Sequence, residues 1–144
     1  MKGVIVELWN NGELPLKDGL YFSDGRSLEL RIDCYPLSLK KGGWFDFRAF
    51  YQQNIGQIST VGITNEIRLS NGCYCCVGEG SWGSDGLIAY LDEDRGLTWV
   101  IFSQYSNPFI SIIEESGLMV CARSSAEYEL VVDVNCPEDV TIQQ

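Results

Sequence analysis

The sequence predicts an all-β fold in a single domain over residues 1–144, built as an antiparallel meander, a sandwich or one strongly curved sheet. Three observations predict it: apolar residues recur with period two, turn pairs bearing glycine separate the apolar runs, and no long capped stripe of period 3.6 is present. A chain of 144 residues with 45% apolar residues spread along its length can bury roughly 70% of its unfolded surface around one core. This composition excludes a disordered chain.

At the start, Val4-Ile5-Val6 is cut off by Glu7 and Asn10-Asn11-Gly12, short of a signal-peptide core, so the expectation is a chain that stays in the cytoplasm. Leu28, Leu30, Ile32 and Cys34 alternate with Glu29, Arg31 and Asp33, the pattern of a strand with one dry and one wet face. Trp44–Tyr51 reads as another strand, with a short helix over Phe45–Gln53 as the alternative. In the second half, strands are expected near 66–70, 73–77, 87–91, 97–103, 110–113, 118–123 and 127–134. Residues 97–102, Leu-Thr-Trp-Val-Ile-Phe, are apolar on both faces, which predicts a central strand with Trp99 in the core. Asn11-Gly12, Asp18-Gly19, Asp24-Gly25, Asn71-Gly72 and Arg95-Gly96 supply the turns. No apolar run reaches the ~20 residues needed to span a bilayer, so no membrane partner is expected.

Charge is distributed unevenly. Residues 1–72 carry eight Lys/Arg against eight Asp/Glu, whereas residues 73–144 carry only Arg95 and Arg123 against twelve acids, so the whole net charge of −10 lies in the second half. Such a surface argues against direct nucleic-acid binding, which needs cations for the phosphates, and suits a basic protein partner. If the strands run up and down in order, connections 92–96 and 114–117 share one end of the sheet. That end would gather Asp92, Glu93, Asp94, Glu114 and Glu115, with Glu127 and Glu129 exposed on the last strand nearby. These seven carboxylates are the expected contact residues. Gly78–Gly86 and Gln104–Pro108 would share the opposite end.

Catalytic and metal chemistry find little to work with. The chain has no histidine, which removes Ser-His-Asp and Cys-His sites. The glycine-rich stretch lacks both a nucleophile elbow and the Gly-Lys-Ser/Thr of a phosphate loop, so no cofactor is expected. Cys34, Cys73, Cys75, Cys76, Cys121 and Cys136 are expected to be free, mostly buried thiols. Cys73 and Cys76 have a zinc-knuckle gap but no second pair, so no metal is expected. Glu79 and Asp85 flank Trp82 in one loop and are the nearest approach to an acid-pair glycoside hydrolase. The structural alternative has Trp82 covering the end of the core and Asp85 accepting backbone hydrogen bonds. An exposed Trp82 would instead suit a ligand- or carbohydrate-binding β-domain.

The stretch Gly78-Glu79-Gly80-Ser81-Trp82-Gly83-Ser84-Asp85-Gly86-Leu87-Ile88-Ala89, with Leu97-Thr98-Trp99-Val100-Ile101-Phe102 and Ser106-Asn107-Pro108-Phe109, resembles small bacterial immunity proteins of polymorphic and contact-dependent inhibition toxin systems. The resemblance spans residues 78–109 and implies a role: a non-enzymatic cytoplasmic protein that binds a cognate toxin domain and masks its active site or substrate groove. Many such toxins are nucleases with basic clefts, which an acidic inhibitor would complement.

Overall fold

Alternating side chains are buried on both sides of a curled sheet, and this gives the protein three layers. The computed structural model describes residues 3–144. The chain runs α1 (Val4–Asn10), β1 (Glu13–Pro15), β2 (Gly19–Phe22), β3 (Arg26–Cys34), β4 (Leu37–Asp46), α2 (Phe47–Gln53), β5 (Ile58–Arg68), β6 (Tyr74–Gly80), β7 (Gly86–Leu91), β8 (Leu97–Ser103), β9 (Phe109–Ser116), β10 (Met119–Ser124), β11 (Glu129–Asp133) and β12 (Cys136–Gln143). Eight strands form one sheet in the order β1-β5-β6-β7-β8-β2-β3-β4, and the last four form a second in the order β12-β11-β10-β9. All of these pairings are antiparallel, as the all-β expectation requires.

β8 shows how the layers are built. Trp99 and Ile101 face the four-stranded sheet and pack with Phe109, Ile112, Val120, Leu130 and Val132. Leu97, Val100 and Phe102 face the other way and pack with Ile5 and Leu8 of α1 and Phe47 of α2. The double apolar face of residues 97–102 therefore reports a strand covered on both sides, and β8 lies between β7 and β2.

The meander holds for β6-β7-β8 and for β9 to β12, but it breaks between β8 and β9. β2 pairs along the edge of β8, so β9 has no edge to join and opens the second sheet. Trp44–Tyr51 is not one strand. β4 ends at Asp46, whose side chain accepts a hydrogen bond from Ala49 N at 3.2 Å and caps α2. α1 is a helix over a β-branched run; burial of Ile5, Val6 and Leu8 overrides a weak local propensity. The glycine-rich loop is also shorter than expected. Gly78 and Gly80 belong to β6 and Gly86 to β7, leaving only 81–85 as the connection. Arg95-Gly96 reverses its expected roles: Arg95 takes the positive φ of 65°, and Gly96 has no positive φ, a Cβ there lying 2.8 Å from the Asp92 carboxylate, which would have to shift.

Candidate functional site

Antiparallel connectivity puts the β5-β6, β7-β8, β9-β10 and β11-β12 turns at one end of the molecule. Contacts confirm it: Ser70, in the first of these turns, bonds Glu114, Gly72 lies against the Glu93 carboxylate, and Val134 N donates to Leu118 O at 3.1 Å. Asp92, Glu93, Asp94, Glu114 and Glu115 therefore share an end, as the hairpin arithmetic expects.

Two of the five are occupied by the fold. The Asp92 carboxylate accepts from Asp94 N and Gly96 N, both at 2.8 Å, and closes its own turn. Glu114 staples the two sheets together, accepting from Ser70 N at 2.9 Å, Ser70 Oγ at 2.7 Å and Leu118 N at 3.0 Å. The Ser70 hydroxyl and then the backbone bonds hold its carboxyl below the usual glutamate range. A carboxyl depressed in the folded state adds stability above its unfolded pKa, and that stability is lost as pH falls through the folded value. Glu114→Gln should accordingly lower Tm by a few degrees at about pH 7, and the difference from wild type should close in acid, below about pH 4. Thermal melts across this range test it; a pH-independent difference would show that Glu114 acts through packing alone.

Glu93, Asp94 and Glu115 are exposed, and no salt bridge to them occurs among the described residues. Nearby, Arg95 pairs with Glu66 at 3.0 Å and lies over the Tyr74 ring, leaving it committed to β5 and β6.

Glu127 and Glu129 do not join this group. Glu127 sits in the β10-β11 turn at the opposite end, with a φ of 67°, beside Ser125, whose N–H donates to Pro108 O at 2.9 Å. Glu129 lies on the outer face of the four-stranded sheet, where its carboxylate accepts from Cys121 Sγ at 2.7 Å and faces Arg123 at 3.9 Å. Burial, and then the Glu129 carboxylate, push the Cys121 thiol up to about 12, so it is protonated at neutral pH.

That outer face contains the residues that strand patterning missed. Register places Ile113, Cys121, Val131 and Thr141 in one row across β9, β10, β11 and β12, with Arg123 beside Glu129 in the next and Met119 beside Asp133 toward the acidic end. The central strands β6, β7, β8 and β2 of the eight-stranded sheet are covered on both faces, whereas the outer face of the four-stranded sheet carries no further layer among the described residues; on it Cys121 is buried between its neighbours and Ile113 is 57% exposed. The apolar row thus lies beside Glu115, Asp133 and the acidic turns. The available signal was the unusual Ile112-Ile113 and Val131-Val132 doublets, which place an apolar residue on each face of their strands.

The opposite end holds the 81–85 and 104–108 connections, joined by Asn107 N to Ser84 O at 2.8 Å and Ser84 Oγ to Gln104 O at 3.0 Å. Trp82 does not cover the core; it is 69% exposed. Together with Ser84, Asp85, Gln104 and Tyr105 it lines a pocket of about 130 Å³. Asp85 is fully buried and accepts from Gly80 N at 3.1 Å, the backbone-bonding role expected of it. Glu79 is exposed and is not among the pocket's lining residues, so Glu79 and Asp85 do not face each other across a cleft.

The six cysteines are unbridged. Cys73 packs beside the inter-sheet core and Cys76 lies in the helix-side core, because residues three apart on a strand point to opposite faces. They do not converge on one ion. Compared with protein-family models, curated proteins and solved structures, the chain matches none.

Proposed function

We propose that this chain is an immunity protein that neutralises a cognate toxin domain, a basic nuclease, by covering its active site or substrate groove. The observation that carries the reading is the uncovered outer face of the four-stranded sheet, where Ile113, Val131 and Met119 adjoin Glu115, Asp133 and the acidic Glu93-Asp94 turn. An apolar centre with a charged border is the anatomy of a protein interface, and net negative charge selects a basic partner. Four strands at ~4.8 Å spacing and five residues at ~3.4 Å make a face on the order of 300 Å². A standard interface needs about 800 Å² per partner, so the acidic turns have to take part in the contact. The resemblance of residues 78–109 to immunity proteins agrees with this role, and a cytoplasmic location follows from it.

Because Asp92 and Glu114 hold the fold together, the test reverses only the three free carboxylates. Glu93→Lys, Asp94→Lys and Glu115→Lys combined should leave the circular dichroism unchanged. It should slow association with the cognate toxin domain by roughly tenfold and remove most of the salt dependence. A matched reversal of Glu7, Glu29 and Glu79, all exposed and outside the four-stranded sheet, should change the rate far less. Equal losses from both sets would reduce the acidic end to general surface charge, and protection that survives the first set at an unchanged rate would place the inhibitory face elsewhere.

A further inference from the structure

We propose that the pocket between Trp82 and Tyr105 binds the cationic tip of a lysine or arginine side chain presented by a partner protein. This inference is independent of the toxin reading, since the pocket lies at the other end of the molecule from the acidic turns. Two exposed aromatic rings flank it, Trp82 at 69% and Tyr105 at 51% exposure. Exposed aromatic faces attract cations through the ring quadrupole, Trp most strongly. The Tyr105 ring already does so within the chain: Arg31 lies 5.7 Å from its centroid, on the side of the neighbouring groove that Arg31 helps to line. No Lys or Arg lines the small pocket itself.

Asp85 lies just beneath the pocket and is the one acid along its lining. It is fully buried and has no salt-bridge partner among the described residues. Oδ1 accepts from Gly80 N at 3.1 Å, but Oδ2 has only Ser59 Oγ, at 3.4 Å. The single Ser59 hydroxyl proton is also within reach of Thr60 O at 3.3 Å and Ser81 Oγ at 3.2 Å, and it can serve one acceptor at a time. Asp85 is therefore a buried acid without a countercharge, its Oδ2 turned toward Ser59 and Gly80 and away from solvent, and a cation held between the two rings would be attracted to it through the pocket floor without touching it.

Size selects the class of occupant. The pocket's volume of about 130 Å³ lies below the roughly 300–1,000 Å³ of sites that enclose a small molecule and suits a side-chain tip. The walls are held in place from outside the pocket. Asp18 accepts from Gln104 N at 2.9 Å, Ser84 Oγ donates to Gln104 O, and Ser81 N donates to Ser59 Oγ at 3.2 Å.

Amide and indole N–H shifts of the full chain, titrated with n-butylammonium, n-propylguanidinium, N-acetyl-lysine methylamide, uncharged n-butanol and methyl glucoside, provide the test. The expected result is saturable shifts at Trp82, Ser84 and Tyr105 from the cations, with dissociation constants on the order of millimolar. N-acetyl-lysine methylamide should bind more tightly than n-butylammonium, and butanol and the glucoside much more weakly than either. Trp82→Leu and Tyr105→Leu, both at exposed positions, should keep the fold and weaken cation binding roughly fivefold or more, read at Ser84. Asp85→Asn should reduce, without removing, the preference for butylammonium over butanol, since the ring faces remain. Equal response to butanol, tighter binding of the glucoside, or unaltered cation binding in the two Leu variants would overturn the assignment. Binding of the lysine amide no tighter than the free amine would overturn its protein source.

Discussion

Trp99→Ala should cost about 3–5 kcal/mol, the usual penalty for emptying a buried aromatic site, with the loss seen as a lower urea midpoint. Trp99 is 1% exposed and stands on the central strand facing the second sheet. It packs against Tyr90 with ring centroids 5.9 Å apart, and its Nε1 donates to Val134 O at 2.9 Å. That bond crosses between the sheets, from β8 to the turn that joins β11 to β12, so truncation also leaves a carbonyl with a lost partner, worth a further ~1–3 kcal/mol where it stays dry. Against a total stability of about 5–15 kcal/mol for a domain of this kind, the Ala variant would be close to unfolding. Trp99→Phe separates the two contributions, since it keeps most of the ring volume and removes only the hydrogen bond and the second ring. An Ala variant as stable as wild type would mean that the inter-sheet core does not depend on this residue.

Gly78→Ala should destabilise by about 3 kcal/mol or more, at the upper end of overpacking costs. A glycine within a strand is ordinarily improved by alanine, by roughly 0.5–1 kcal/mol, so the sign of the effect is itself diagnostic. At Gly78 a Cβ would run into the Gly62 carbonyl oxygen and lie 3.1 Å from Ile63 Cα. Both are backbone atoms of the partner strand, which has no side chain to rotate away. The crowding arises where β5 shifts register against β6 between Ile63 and Asn65 and bends with the curl of the sheet. Thr64 fixes this bend, its Oγ1 donating to Phe109 O at 2.6 Å and so tying β5 to the start of β9. Gly43→Ala serves as control: Gly43 lies in β4, has no positive φ, and an added Cβ would meet nothing within 4 Å. It should be neutral or slightly stabilising, and equal urea midpoints for both variants would remove the close approach as the reason for glycine at 78.

What the sequence by itself determined is whatever depends on local period and composition. Alternation at Leu28–Cys34 placed the dry face of β3, because a pleated strand turns successive side chains to opposite sides. The doubly apolar 97–102 run located the central strand, and the uneven count of acids and bases marked the second half as the acidic one. Tertiary structure decided what depends on partners distant in sequence. β2 takes the edge of β8, so the meander splits into two sheets. α1 forms from a β-branched run because a core is there to bury it. Gly78, Gly80 and Gly86 read as loop residues since glycine marks both turns and close backbone approach, and only the packed neighbour distinguishes the two. The carboxylates were separated in the same way. Five were correctly gathered at one end by strand parity alone, but parity does not say where a carboxylate's hydrogen bonds go. Only the folded chain commits Asp92 to its own turn and Glu114 to Ser70, sends Glu127 to the far end, pairs Glu129 with Cys121, and leaves Glu93, Asp94 and Glu115 free.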